Sequence, residues 1–91
     1  MSIHDALSAR PLEIAFRGEA VRLRRPTVAD LVAMIDAESR GHNMAAMYVS
    51  AHVIDENGNR VYTYETALNL SAPAVIGLSR EIEKLYGEGL D

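Results

Sequence analysis

The run Leu12-Glu13-Ile14-Ala15-Phe16-Arg17-Gly18-Glu19-Ala20-Val21-Arg22-Leu23-Arg24-Arg25-Pro26-Thr27 decides how this chain begins to fold. Leu12, Ile14 and Phe16 alternate with Glu13, Ala15 and Arg17, and Val21 and Leu23 alternate with Arg22 and Arg24. A period of two places one set on a core-facing sheet surface and the other in water. Gly18-Glu19 lies between the two runs, and a two-residue loop with Gly first suits a type II′ turn. That turn sets Phe16 opposite Val21 and Ile14 opposite Leu23 on the apolar face, with Glu13 opposite Arg24 on the wet face. Pro26 has no N–H for a ladder and ends the second strand. The expectation is a β-hairpin over residues 12–25.

Moving outward toward the C-terminus, Thr27 has the chemistry of an N-cap, with Asp30 three residues on in a capping-box position. A helix Val28–Arg40 is expected, with Val28, Leu31, Val32 and Ile35 at helical spacing in one apolar stripe and Gly41 as its stop. Asn43 caps a second helix, roughly Met44–Ile54, whose buried face reads as Met44, Met47, Tyr48, Ala51 and Ile54. Asp55-Glu56-Asn57-Gly58-Asn59 carries a strong Asn-Gly turn signal. Val61–Tyr64 reads as a short extended piece and Glu65–Leu70 as one or two helical turns. Ser71 reads as the cap of a last helix with Pro73 in its first turn, where a missing N–H costs little. Val75, Leu78, Ile82 and Leu85 form its stripe, Gly77 permits close packing, and Gly87 and Gly89 end it. The fold class is therefore α+β: an N-terminal β-hairpin followed by three to four α-helices packed as a small single domain, with residues 1–11 a flexible tail, 12–25 the hairpin and 28–87 the helical part.

Size and composition agree with that reading. A chain of 91 residues supports one small core. The absence of cysteine excludes disulfides and thiolate metal sites. No stretch approaches the roughly 20 apolar residues that span a bilayer, and Met1 to Pro11 holds no signal-peptide core. A cytoplasmic protein is expected. The net charge of −4 is unevenly placed: residues 1–26 hold five Arg against three acids, and residues 27–91 hold four basic residues against ten acids. An acidic body makes nucleic acid an unfavourable chief partner.

Chemistry-bearing patterns all have sufficient structural uses. His42 and His52 are ten residues apart, not at a helical ligand spacing, and His4 lies in the tail, so no metal site is expected. Asp55-x-Asn57-x-Asn59 lacks the Gly and Glu positions of a calcium loop. None of Ser2, Ser8, Ser39, Ser50, Ser71 and Ser79 sits in a Gly-x-Ser-x-Gly elbow, and no Gly-rich phosphate loop is present. The expectation is a protein without catalytic residues or cofactor. Met44 and Met47, adaptable apolar groups, and Tyr62 and Tyr64, one of them expected exposed, are the candidate protein-binding residues. Arg17, Arg22, Arg24 and Arg25 are a candidate basic patch, which would support an alternative reading as a small nucleic-acid-associated or regulatory protein.

The order of these signals carries a resemblance. A hairpin leads into Arg24-Arg25-Pro26-Thr27-Val28-Ala29-Asp30. A second helix runs into Val53-Ile54-Asp55-Glu56-Asn57-Gly58-Asn59-Arg60-Val61-Tyr62, and after the short Glu65–Leu70 segment Ser71-Ala72-Pro73-Ala74 opens a closing helix. Over roughly residues 12–87 this resembles the small tail assembly chaperones of siphophages and prophages. The resemblance implies a non-enzymatic protein that reversibly binds the tape measure protein in the host cytoplasm and is absent from the mature virion. It also implies self-association, as dimers or an open spiral, in some members, and a short form without the C-terminal extension that translational frameshifting adds to others. A structural subunit retained in a particle is a third possibility.

Overall fold

The computed structural model describes residues 10–87. The chain order is β1 (Leu12–Phe16), β2 (Glu19–Leu23), α1 (Val28–Ser39), α2 (Met44–His52), β3 (Val53–Ile54), α3 (Tyr64–Leu68) and α4 (Ala72–Tyr86). The three strands form one antiparallel sheet in the order β1-β2-β3, so the fold is α+β as expected. Of the expected N-terminal tail, residues 1–9 lie outside the described residues, as does Gly89.

The hairpin forms in a different register. Leu12 faces Leu23, Ile14 faces Val21 and Phe16 faces Glu19, so the loop is Arg17-Gly18 and not Gly18-Glu19. Both loop residues have positive φ, 51° and 81°, as a type I′ turn requires. A shift of two residues preserves every side chain's face, and Leu12, Ile14 and Val21 still turn toward the core around the fully buried Leu23. What changes is the wet face: Glu13 lies opposite Arg22, not Arg24.

The first helix starts where Thr27 caps it. Thr27 Oγ1 accepts from Asp30 N at 3.2 Å and Asp30 Oδ2 accepts from Thr27 N at 2.8 Å, a complete capping box with Asp in the usual Glu position. Asn43 Oδ1 accepts from Ala46 N at 3.0 Å and starts α2. That helix stops at His52, two residues short of the expected Ile54. Val53 and Ile54 instead pair with Leu23 and Arg22 as β3. β-branched residues suit a pleated, buried position, and here the open edge of β2 supplies one. After them Asp55 Oδ1 accepts from the N–H groups of Asn57 and Asn59, both at 2.9 Å, and Gly58 takes φ 84°. The expected turn is thus closed by its own aspartate.

The core lies between the sheet, α2, α3 and α4, with α4 packing chiefly on α2. Leu23, Ala46, Val49, Val53, Ala67, Val75 and Ile82 form it, and Leu78 and Leu85 pack against its edge, so the stripe read on the last helix faces inward. The face expected for the second helix is only part of what is buried: Ala46, Val49, Ser50, Ala51 and His52 are inside, while Met44, Met47 and Tyr48 are half-buried. Ser71 occupies the N-cap position of α4, but its side chain makes no capping hydrogen bond. At Gly77 an added Cβ would lie 3.2 Å from the Phe16 ring, so the helix does approach the hairpin closely there. Among the described residues no helix is long and apolar enough to cross a membrane, and no group of three or more His, Cys, Asp or Glu is placed to hold a metal ion.

Candidate protein-binding surface

The apolar stripe of α1 points outward. Val28 is 79%, Val32 62%, Ile35 60% and Leu31 47% exposed, while the same helix buries only Met34 and Ala37. At about 100° per residue the four outward side chains fall within one face, opposite Asp30, Met34 and Ala37. Asp36 borders this face on one side and Glu38 on the other, and both are exposed. An amphipathic helix ordinarily turns its apolar stripe to the core. Here only Met34 and Ala37 turn apolar side chains inward, beside Asp30, so most of the helix's apolar surface stays outside the core and a contiguous apolar patch is left in water.

Polar ties hold α1 in place. The Arg24 guanidinium makes two parallel hydrogen bonds to Asp30, 2.7 Å to Oδ2 and 2.8 Å to Oδ1, and also donates to Ala51 O at 3.3 Å from Nε and 3.1 Å from Nη2. Partial burial pushes the Asp30 carboxyl upward, but the Arg24 bonds and the Thr27 cap outweigh it and hold the group below its ordinary value. At the other end of the helix, His42 N donates to Ala37 O at 3.1 Å.

Arg24 also joins a buried junction. Its N–H donates to His52 O at 2.8 Å, and its own carbonyl lies 2.6 Å from His52 Nδ1. A carbonyl only accepts, so Nδ1 carries a proton. His52 Nε2 lies 2.5 Å from Tyr86 Oη and, in the neutral ring, accepts from it. Burial lowers the His52 pKa below its ordinary value, so the ring is neutral at pH 7. Burial also raises the Tyr86 hydroxyl, which keeps its proton. The Tyr86 ring meets His52 and Tyr48 edge-on at 5.4 and 5.3 Å. Among the described residues no buried side-chain N or O lacks a partner.

The candidate residues read from the sequence are partly gathered. Met47, Tyr62 and Tyr64 line one cleft of about 300 Å³ with Ser50, Arg60, Val61 and Thr63; Met44 lies outside it. Tyr62 and Tyr64 are both half-buried, so neither takes the fully exposed role expected of one of them. Tyr64 Oη accepts from Asn43 N at 3.0 Å and its ring meets His42 edge-on, which makes it a support for the start of α2.

The arginines do not act as one group. Arg17 sits in the hairpin turn with its guanidinium 5.3 Å from the centre of the Phe16 ring. Arg22 is exposed on β2, Arg25 is half-buried, and Arg24 is committed to Asp30 and Ala51. A second apolar area, Leu68, Leu70 and Ile76, borders a shallow cavity of about 120 Å³ floored by Ala45, Ala46, Ala67, Ala72 and Val75.

The outward face of α1, the Arg24–Asp30 pair and the His52–Tyr86 link are absent from the candidates that sequence reading offers. The stripe itself was visible, but its direction depends on which neighbours cover it. His52 carried one signal: it interrupts the apolar run Val49 to Ile54, where a polar side chain needs a buried partner. Comparison with protein-family models, with curated proteins and with solved structures returned no match.

Proposed function

We propose that this chain is a non-enzymatic tail assembly chaperone that reversibly covers an apolar helix of a tape measure protein during phage tail assembly, in the host cytoplasm. The observation that carries the reading is the outward stripe Val28, Leu31, Val32 and Ile35 on α1. Its spacing matches that of a helix laid against a second amphipathic helix. Asp36 and Glu38 at its borders favour a partner whose apolar stripe is edged with Lys or Arg. A patch of only four side chains gives weak contacts, which suits a chaperone that must come off, with several copies along a long client adding up by avidity. The resemblance of the ordered motifs from residue 12 to 87 supports the family reading, and the exposed helix face supports this manner of binding. A nucleic-acid role gains no support from the arginines, because the bidentate Asp30 contact takes Arg24 out of any phosphate-facing set.

The test is co-expression with a phage tape measure protein. The expected result is a complex and more soluble partner. A double variant, Val32→Asp with Ile35→Asp, is expected to fold normally, since both positions are exposed and surface changes cost within about 0.5 kcal/mol. The same variant should lose the complex. A complex that survives this variant, or none with the unaltered chain, overturns the proposal.

A further inference from the structure

His52 and α1 are linked through one residue. Arg24 takes both main-chain bonds of the junction, N–H to His52 O and carbonyl to His52 Nδ1, and its guanidinium carries Asp30, which at the same time caps α1. We propose that His52 is a proton-operated catch: protonating its ring opens the junction between β2, α2 and α4, and through Arg24 loosens the N-terminal end of α1, so that presentation of the α1 face depends on pH.

Protonation makes Nε2 a donor. Tyr86 Oη must then turn its own proton away from the ring, and a fully buried site must hold a charge. The charged groups that face the ring are Arg24 from the end of β2, Arg60 from the segment after β3 and Asp30 from α1. Two cations oppose the new charge. The one carboxylate already has both oxygens bonded to Arg24. Tyr48 of α2 and Tyr86 of α4 stay neutral throughout, because burial raises both hydroxyls. Moving the ring outward relieves the conflict, and the Arg24 main chain moves with it.

The consequence for binding rests on α1 being the partner-binding face; the catch itself does not. Hydrogen exchange of the full chain between pH 7.5 and 5.0, corrected for intrinsic rates, reads it directly. As pH falls from 6.5 toward the folded-state titration of His52, α1 amides should lose protection by up to about tenfold per pH unit, the slope of one proton, and level off below it. Amides of the α2 interior and of the β1–β2 ladder should fall only as global stability falls and stay more protected than those of α1 throughout. A flat α1 profile, or α1 protection equal to that of the core amides at every pH, overturns the catch. NMR titration of the His52 ring in the same samples should share the midpoint, and a separate midpoint counts against it. His52→Gln should abolish the pH dependence. Tyr86→Phe keeps the packed ring but removes the donor that supports neutral His52, so titration and α1 loosening should both move to higher pH; an unmoved midpoint overturns the proposal. Tape measure binding at pH 7.5 and 5.5 separates the two readings. No binding at 7.5 sinks the proposed function and leaves the exchange result standing. Equal binding at both values, while α1 protection falls, sinks the link between catch and face.

Discussion

Arg24 was readable only as one of several alternating arginines, and its partner depended on a strand register that local pattern leaves open. Its guanidinium serves Asp30 through two parallel bonds and Ala51 O through two more, a geometry that a planar fork meets and an ammonium does not. Arg24→Lys should therefore cost about 1.5–3 kcal/mol, the range for hydrogen bonds to charged groups, even though the charge is kept. A lowered urea midpoint with an unchanged slope would report it; a midpoint equal to that of the parent chain would show that the forked geometry contributes nothing beyond the charge. The magnitude is not that of an exposed ion pair, because both side chains are mostly covered. The exposed Asp36–Arg40 and Glu81–Lys84 pairs belong to that weaker class.

At the scale of elements, the period-two and period-3.6 patterns locate the hairpin and the three longer helices, because those periods are set by backbone geometry and survive without knowledge of neighbours. Three things escaped. The hairpin register is not legible because Gly18 suits the first turn position, whereas the chain places Arg17 there at φ 51° and Gly18 second. A bulky residue at positive φ is strained by about 1–2 kcal/mol, so no sequence rule favours it. The Arg17 contact with the Phe16 ring recovers roughly 0.5–1 kcal/mol. Arg17→Asn creates the preferred Asn-Gly pair for this turn and should stabilise the hairpin by roughly 0.5 kcal/mol net, raising Tm by a few degrees. A lower Tm would mean that the cation–aromatic contact outweighs the strain. The end of α2 escaped because Val53-Ile54 fits either a helix end or a strand, and only the open edge of β2 decides between them. The direction of the α1 stripe escaped because an apolar period names a face without naming what covers it. The candidate site is therefore half legible: its residues read as a stripe, and their exposure follows only from the packing of Met34 and Ala37 inward.

At the scale of the whole molecule, the two perturbed groups of the Arg24 junction set how stability follows pH, and the signs can be worked out separately. His52 has its pKa lowered in the folded state from 6.5. Just below that value the unfolded chain binds more protons than the folded one, so acidification favours unfolding. The contribution of neutral His52 is complete above pH 6.5 and is lost as pH falls toward the folded value. Asp30 is likewise lowered, from 3.8. Its contribution is complete above pH 3.8 and is lost below it, when the carboxylate that holds Arg24 and caps α1 takes a proton. On acidification stability should accordingly begin to fall near pH 6.5, and a second loss should set in below pH 3.8. Urea midpoints measured from pH 8 to pH 3 give the profile. His52→Gln should remove the first stage and leave the second, whereas Asp30→Asn should remove the second and leave the first. Both groups bond the same residue, Asp30 to the Arg24 guanidinium and His52 to the Arg24 main chain, so the double variant should be less destabilised than the sum of the singles, as residues in one network are. Strict additivity would show that the junction does not act as a unit and that α1 is held by its cap alone.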